Sequence, residues 1–202
     1  MKPANNYRRI TRRFFDRHPA VVAQELIGHG LVRRVRDTLV GGVIVETEAY
    51  LSAGDLASHS RSGMTRRCRS MFADAGTLYV YSIHAKYCMN VVTEKHGIGS
   101  AVLIRAIEPV WGIEWMQLHR GQTDVHKLTR GPAMLCQSLS ITTSDDGLDL
   151  VTSDDIYLIR LPSAGGEVGS GSRIGISAGL ELPLRFYRRG SRFVSGTLKH
   201  RS

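Results

Sequence analysis

The chain has 202 residues, 42% of them hydrophobic, and only three cysteines, none in a CxxC or Cys/His ligand spacing, so one core can form without disulfides or structural zinc. No run approaches about 18 uninterrupted apolar residues, and the basic start MKPANNYRRITRRFF lacks the apolar centre of a secretion signal, which predicts a soluble, intracellular protein without membrane contact. The net charge of +9 gathers at the ends, with nine Lys/Arg against three acids in residues 1–40 and six against one in 181–202, a footprint that suits a polyanionic partner.

In chain order, Arg8, Arg9, Arg12 and Arg13 suggest a basic arm over residues 1–13, ahead of a single domain over 14–202. Pro19 suits a first helical position and predicts a helix ending by Gly28 or Gly30, with Val21, Val22 and Leu26 as its buried stripe. LVRRVR (31–36) reads as a strand, followed by a turn around Gly41 and Gly42 and a second strand from Val43 to Tyr50. Period-two alternation puts Ile44, Glu46, Glu48 and Tyr50 on one face of that strand and Val43, Val45 and Thr47 on the other. A carboxylate beside a tyrosine is a candidate reactive centre, although a solvated sheet face alternates in the same way.

Residues 53–69 are rich in Ser, Gly and Arg and predict a surface loop near phosphates, carrying His59, Arg61, Arg66, Arg67 and Arg69. TLYVYSI (77–83) reads as a strand with Tyr79 and Tyr81 on one face, returning through YCMNVV as a hairpin with Ile83, His84, Ala85 and Lys86 at its tip. AVLIRA (101–106) is a further strand with Leu103 and Arg105 on a common face. Helices are expected over Pro109–Leu118 and Pro132–Leu139, a strand over 156–161, a Gly/Ser loop through PSAGGEVGSGS, and a basic end at LRFYRRGSRFV. There is no internal repeat.

VETEAY (45–50), AxHS ending at His59 and Ser60, GTLYVY (76–81), YCMN (87–90), VLIRAIEP (102–109), GPxxLCQ (131–137), RIGI (173–176) and PLRFYxRGS (183–191) follow one another in order. Together, over roughly residues 14–195, they resemble the alkyladenine, or 3-methylpurine, DNA glycosylase family. The resemblance implies a single α+β domain: a curved, mainly antiparallel sheet with a protruding hairpin and surrounding helices. It also implies a monofunctional, monomeric repair enzyme that needs no cofactor or metal. Such an enzyme flips a damaged purine out of duplex DNA and hydrolyses its N-glycosidic bond.

By position, Glu48 matches the general base that activates water, and spacing alone leaves Glu46 as the competitor. Arg105 matches the arginine that orients that carboxylate. Tyr50, His59 and Tyr81 match the pocket around the flipped base, and Asn90 the residue that crowds out guanine's exocyclic amine. Arg66, Arg67, Lys86, Arg130, Arg173 and Arg189 are the expected phosphate contacts.

Two departures stand out. The hairpin reads SIHAKYCMN where the family presents a tyrosine: matching from Tyr81 makes His84 the wedge, and matching back from Asn90 makes it Ile83. Met134 stands where a basic residue is common, with Arg130 nearby to compensate. The competing readings are a non-catalytic damaged-DNA binding protein, a nuclease, for which no carboxylate cluster is evident, and a zinc deaminase, for which the H-x-E and P-C-x-x-C pair is missing.

Overall fold

A thirteen-residue strand, β2 (Thr38–Tyr50), anchors the sheet in the computed structural model, which describes residues 7–162 and 166–196. The other strands of the sheet are β1 (Gly30–Val35), β3 (Leu78–Ile83), β4 (Lys86–Thr93), β5 (Ser100–Trp111), β6 (Ile156–Ile159), β7 (Val168–Gly171) and β8 (Arg185–Arg188). All pair antiparallel in the order β3-β4-β5-β2-β1-β6, while β8 joins β2 and β7 joins β8. On one edge β2 pairs first with β1 and then, from Glu46 to Glu48, with β8. The result is a curled antiparallel sheet with helices around it, a single mixed α+β domain.

The helices are α1 (Arg12–Phe15), α2 (Pro19–Leu26), α3 (Ile113–Arg120) and α4 (Pro132–Ser138). Phe15, Leu26, Ile44, Ile104, Ile107, Met116 and Leu135 meet in the main core. Thr47 Oγ1 donates to the Ala23 carbonyl at 2.8 Å, tying β2 to α2. Val22, Ala23 and Leu26 form the buried stripe of α2, but Val21, expected with them, is 43% exposed. At about 100° per residue Val22, Ala23 and Leu26 fall within one arc of about 100°, and Val21 lies about 140° from Leu26, outside that arc.

Three expected boundaries move. The first chain reversal falls at Arg36 and Asp37, and Gly41 and Gly42 lie inside β2. A Cβ on Gly41 would sit 2.0 Å from the Leu31 carbonyl oxygen and one on Gly42 1.9 Å from that of Glu108, so these glycines serve close backbone approach rather than a turn. Pro109 to Trp111 finish β5 instead of starting a helix, which begins only after Gly112 at φ 65°. Part of the expected Gly/Ser loop is β7; Gly169 faces Tyr187, whose ring would meet a Cβ there at 2.8 Å.

The feature that shapes the site is a pair of bulges. Between Ile44–Ile107 and Thr47–Ile104 the β2–β5 ladder keeps only Glu46–Ala106, leaving Val45 and Arg105 as extra residues on their strands. A bulge reverses the alternation beyond it. Ile44 accordingly enters the main core, away from Glu46 and Glu48, and Val45 packs with Ala106 and Tyr187. The expected face of four is thus a face of three, with Ile44 removed.

Residues 7–13, within the expected basic arm, lie against the domain. The Ile10 N–H donates to Leu158 O at 3.0 Å, Arg9 pairs with Asp154 and lies 4.2 Å over the Tyr157 ring, and Arg12 pairs with Asp149 at 2.7 Å. The charges of Arg9 and Arg12 are thus matched by acids of the domain itself; residues 1–6 of the expected arm lie outside the described part. Ile10 is 1% exposed. Ile10→Ala should therefore cost about 2–5 kcal/mol in urea unfolding, whereas truncation of a free arm would leave the midpoint unchanged.

Candidate active site

Arg105, set on its bulge, reaches both glutamates of β2. Its Nε donates to Glu46 Oε1 at 3.0 Å, its Nη1 lies 3.0 Å from Glu48 Oε1, and its Nη2 donates to Ser195 Oγ at 3.2 Å. Both carboxylates are 0% exposed. Such burial is tolerable only because each is met by charge and by N–H or O–H donors.

The two glutamates nevertheless have different surroundings. Glu46 is also held by Arg185 Nε at 2.7 Å, the Ser195 N–H at 2.7 Å and the Ser195 hydroxyl at 2.9 Å. Burial alone would raise its carboxyl, but Arg105, Arg185 and the Ser195 N–H together bring it below the ordinary glutamate value. Glu48 accepts the Ile174 N–H at 2.7 Å on Oε1 and the Tyr50 hydroxyl at 2.9 Å on Oε2. Burial, then the Glu48 charge, then Tyr81 push the Tyr50 phenol upward, so it stays a donor. A carboxylate has about four lone-pair positions. Three donors leave Glu48 one more acceptor position.

Tyr50, Arg105 and Ile174, the three groups that hold Glu48, all line a cavity of about 680 Å³, within the ordinary size of a small-ligand pocket. His59, Tyr79, Tyr81 and Asn90 share its wall. The Glu46 partners Arg185 and Ser195 do not. His59 and Tyr81 pack edge to face with centroids 4.5 Å apart, and His59 Nδ1 meets the Tyr79 hydroxyl at 2.9 Å. Partial burial, with Arg67 and Arg61, lowers the imidazole below its ordinary value, while burial raises both phenols. His59, Tyr79 and Tyr81 are therefore uncharged near neutral pH and offer electron-rich rings with hydrogen-bonding tips. Asn90 is fixed by a bond from its Nδ2 to the Tyr79 carbonyl at 3.1 Å.

A methylpurine-DNA glycosylase family profile matches residues 13–192. Relatives bearing the name "Putative 3-methyladenine DNA glycosylase" are similar over most of their length. One from Rhodopirellula baltica is 53% identical over 95% of this chain and 84% of its own. Another from Francisella tularensis is 45% identical over 86% and 91%, and one from Methanoculleus marisnigri 44% over 90% and 96%. The chain belongs to the methylpurine-DNA glycosylase family. That membership places it among DNA-repair proteins that act on DNA. No helix among the described residues is long and apolar enough to cross a membrane.

Within this glycosylase fold Glu48, Arg105, Tyr50, His59, Tyr81 and Asn90 come together around one cavity and its back wall. Arg66, Arg67 and Lys86 are exposed near its rim or on the hairpin, Arg130 is half-buried, and exposed Arg189 pairs with Glu167 at 3.0 Å. Arg173, expected on phosphate, is 3% exposed and held by Asp55. Sequence reasoning also missed the Ile174 N–H, Asp55, Tyr79 as the partner of His59, and Arg185 and Ser195 as partners of Glu46. The shared face of Tyr79 and Tyr81 was the one available signal; a backbone donor supplied from more than a hundred residues away leaves none.

The depressed Glu46 carboxyl has a pH signature. Its stabilising contribution is fully present above the unfolded glutamate value of about 4.3 and is lost as pH falls through its lower folded value. Glu46→Gln, which leaves two buried arginines short of a counter-charge, should cost about 3–5 kcal/mol at pH 7. Urea midpoints measured from pH 7 to pH 3 should show the difference from the native protein constant above that value and shrinking below it.

Proposed function

We propose that this chain extrudes alkylated or deaminated purines from duplex DNA into the cavity and hydrolyses the N-glycosidic bond with water activated by Glu48, leaving an abasic site. The observation that carries the reading is the contrast between two buried glutamates. Glu46 is met by four donors, of which only that of Arg105 belongs to a residue lining the cavity, whereas Glu48 is held by three donors that all line it and has an acceptor position left. A carboxylate in that place takes a proton from the attacking water, and its negative charge favours the cationic sugar that develops as the base departs. Arg105 fixes its direction through the planar fork of its guanidinium.

Alkylation makes a purine cationic, and the rings of Tyr50, Tyr81 and His59 suit such a base, at roughly 0.5–2 kcal/mol for a well-placed cation–π contact. The cationic base is already a good leaving group. Asn90, with its amide plane fixed, would crowd the exocyclic amine of guanine. The hairpin presents His84 as the wedge that fills the vacated space, with Ile83 beside it and Lys86 near a phosphate. Arg66, Arg67, Arg130 and Arg189 supply further phosphate contacts. In this reading the protein acts as a monomer and without cofactor.

The test is single-turnover base release from duplexes carrying 7-methylguanine, ethenoadenine or hypoxanthine, scored by alkaline cleavage. Native protein should release at least one base, and Glu48→Gln should lose about 10²–10⁴-fold in rate with duplex binding retained. Binding without release by the native protein would leave a damaged-DNA binding protein instead. In a base-flipping fluorescence assay, His84→Ala should weaken extrusion more than Ile83→Ala; the reverse order would make Ile83 the wedge.

A further inference from the structure

Next to Glu48 lies a second buried ion pair with no assigned part in the reaction. The side chains of Asp55 and Arg173 are both 0% exposed and meet in two prongs, Nη1 to Oδ2 at 2.6 Å and Nη2 to Oδ1 at 2.7 Å. A pair taken wholly out of water offsets its desolvation only when its remaining hydrogen-bonding positions are used. Here the pocket walls use most of them, Arg173 Nε alone finding no partner among the described residues. Asp55 Oδ2 accepts the Leu51 N–H and Oδ1 the Ala57 N–H, both at 3.0 Å, shaping the turn that leads to His59. Arg173 Nη1 donates to the Ala49 carbonyl at 3.1 Å, and Nη2 reaches the Gly179 carbonyl at 3.5 Å. Its guanidinium also lies 4.8 Å from the centre of the Tyr50 ring.

This geometry joins three pieces of the cavity. One side chain holds both ends of the segment 173–179, whose residues Ile174 to Ala178 form part of the wall. Gly179, at φ 67°, would place a Cβ 2.9 Å from Arg173 Nη2, so its bare Cα permits the approach. The residue after Arg173 is the one whose N–H binds Glu48 at 2.7 Å. Displacing Arg173 therefore displaces a donor from that carboxylate. A carboxylate deprived of an N–H donor holds a proton more tightly and loses its fixed direction.

We propose that Asp55 and Arg173 are a positioning pair for the reaction, setting the Ile174 N–H on Glu48 and aligning the wall at 174–178 with the turn that carries His59. The role rests on Glu48 being the base. Neither member touches the substrate, and Arg173 does not contact DNA phosphate.

The experiment compares native protein with Arg173→Lys and Asp55→Asn in two measurements. The first is hydrogen exchange of the Ile174 amide, followed by NMR on ¹⁵N-labelled protein without DNA. The second is the pH dependence of single-turnover base release, with duplex affinity measured alongside. The pair predicts faster Ile174 exchange in both variants and release slowed on the order of ten- to a hundredfold. It also predicts an acidic limb moved to higher pH, unchanged affinity for undamaged duplex, and a double variant no slower than the slower single. If either variant fails to fold, D55L/R173M, which leaves no orphaned charge, replaces it in both measurements.

Native-like exchange and an unmoved limb in folded variants would overturn the proposal. A loss of duplex affinity with an unmoved limb would return Arg173 to phosphate binding. Absence of base release by the native protein would defeat the glycosidic reading of Glu48, while the amide exchange would still decide whether the pair sets the Ile174 hydrogen bond.

Discussion

Everything at the site depends on Arg105 being an extra residue in its strand. A regular β2–β5 ladder would carry the alternation of Ile44, Glu46, Glu48 and Tyr50 unbroken, and the guanidinium would take its turn in that pleat. The paired bulges at Val45 and Arg105 change this. They send Ile44 into the core, bring both glutamates under one guanidinium, and coincide with the point where β2 exchanges β1 for β8 as its edge partner. β8 supplies Arg185, the second cation that a second buried carboxylate requires. The electrostatic balance and the backbone irregularity are one arrangement: two anions, two cations, and a ladder broken where they meet.

That arrangement divides the labour between two chemically identical side chains. Glu46 holds Arg105 from behind and is itself held by Ser195, near the C-terminal end of the described chain, so that end of the molecule helps orient the site. Glu48 faces the other way, toward Tyr50 and Ile174. Near neutral pH the guanidinium is shared between two carboxylates, which fixes its plane in a way that one partner would not. Environment, not residue type, separates the two glutamates.

How far the sequence reached follows from which interactions are local. Period-two patterns found β3 and β4, their tip, and the common face of Leu103 and Arg105, because neighbouring side chains settle those features. The ordered family motifs pointed to the cavity residues. Bulges left no mark in the pattern of VIVETEAY, so Ile44 was placed on the wrong face. Glycines misled twice, since Gly41, Gly42 and Gly169 serve close approach within strands where composition suggested turns or loop. Charge is a similar case. Arg9 and Arg12, in the expected basic arm, and Arg173, expected on phosphate, are each met by an acid distant in the chain. Net charge is legible from composition, but the part of it left for a partner depends on tertiary pairing.

The hairpin tip carries a different constraint. Ile83 pairs with Lys86, so only His84 and Ala85 make the turn, at φ 47° and 60°. Both lie in the left-handed region that two-residue hairpins require and that Asn and Gly normally fill. A side chain there costs roughly 1–2 kcal/mol per residue, and the adjoining β3–β4 ladder must hold it. The cost has a physical counterpart in function. A glycine-bearing tip would be easier to form but would also lose more conformational freedom on meeting DNA, whereas a tip already confined to one backbone shape loses less. If the imidazole of His84 enters the duplex, the left-handed turn projects it from the end of the hairpin without an added loop. The absence of glycine thus leaves a tip already set in one backbone shape.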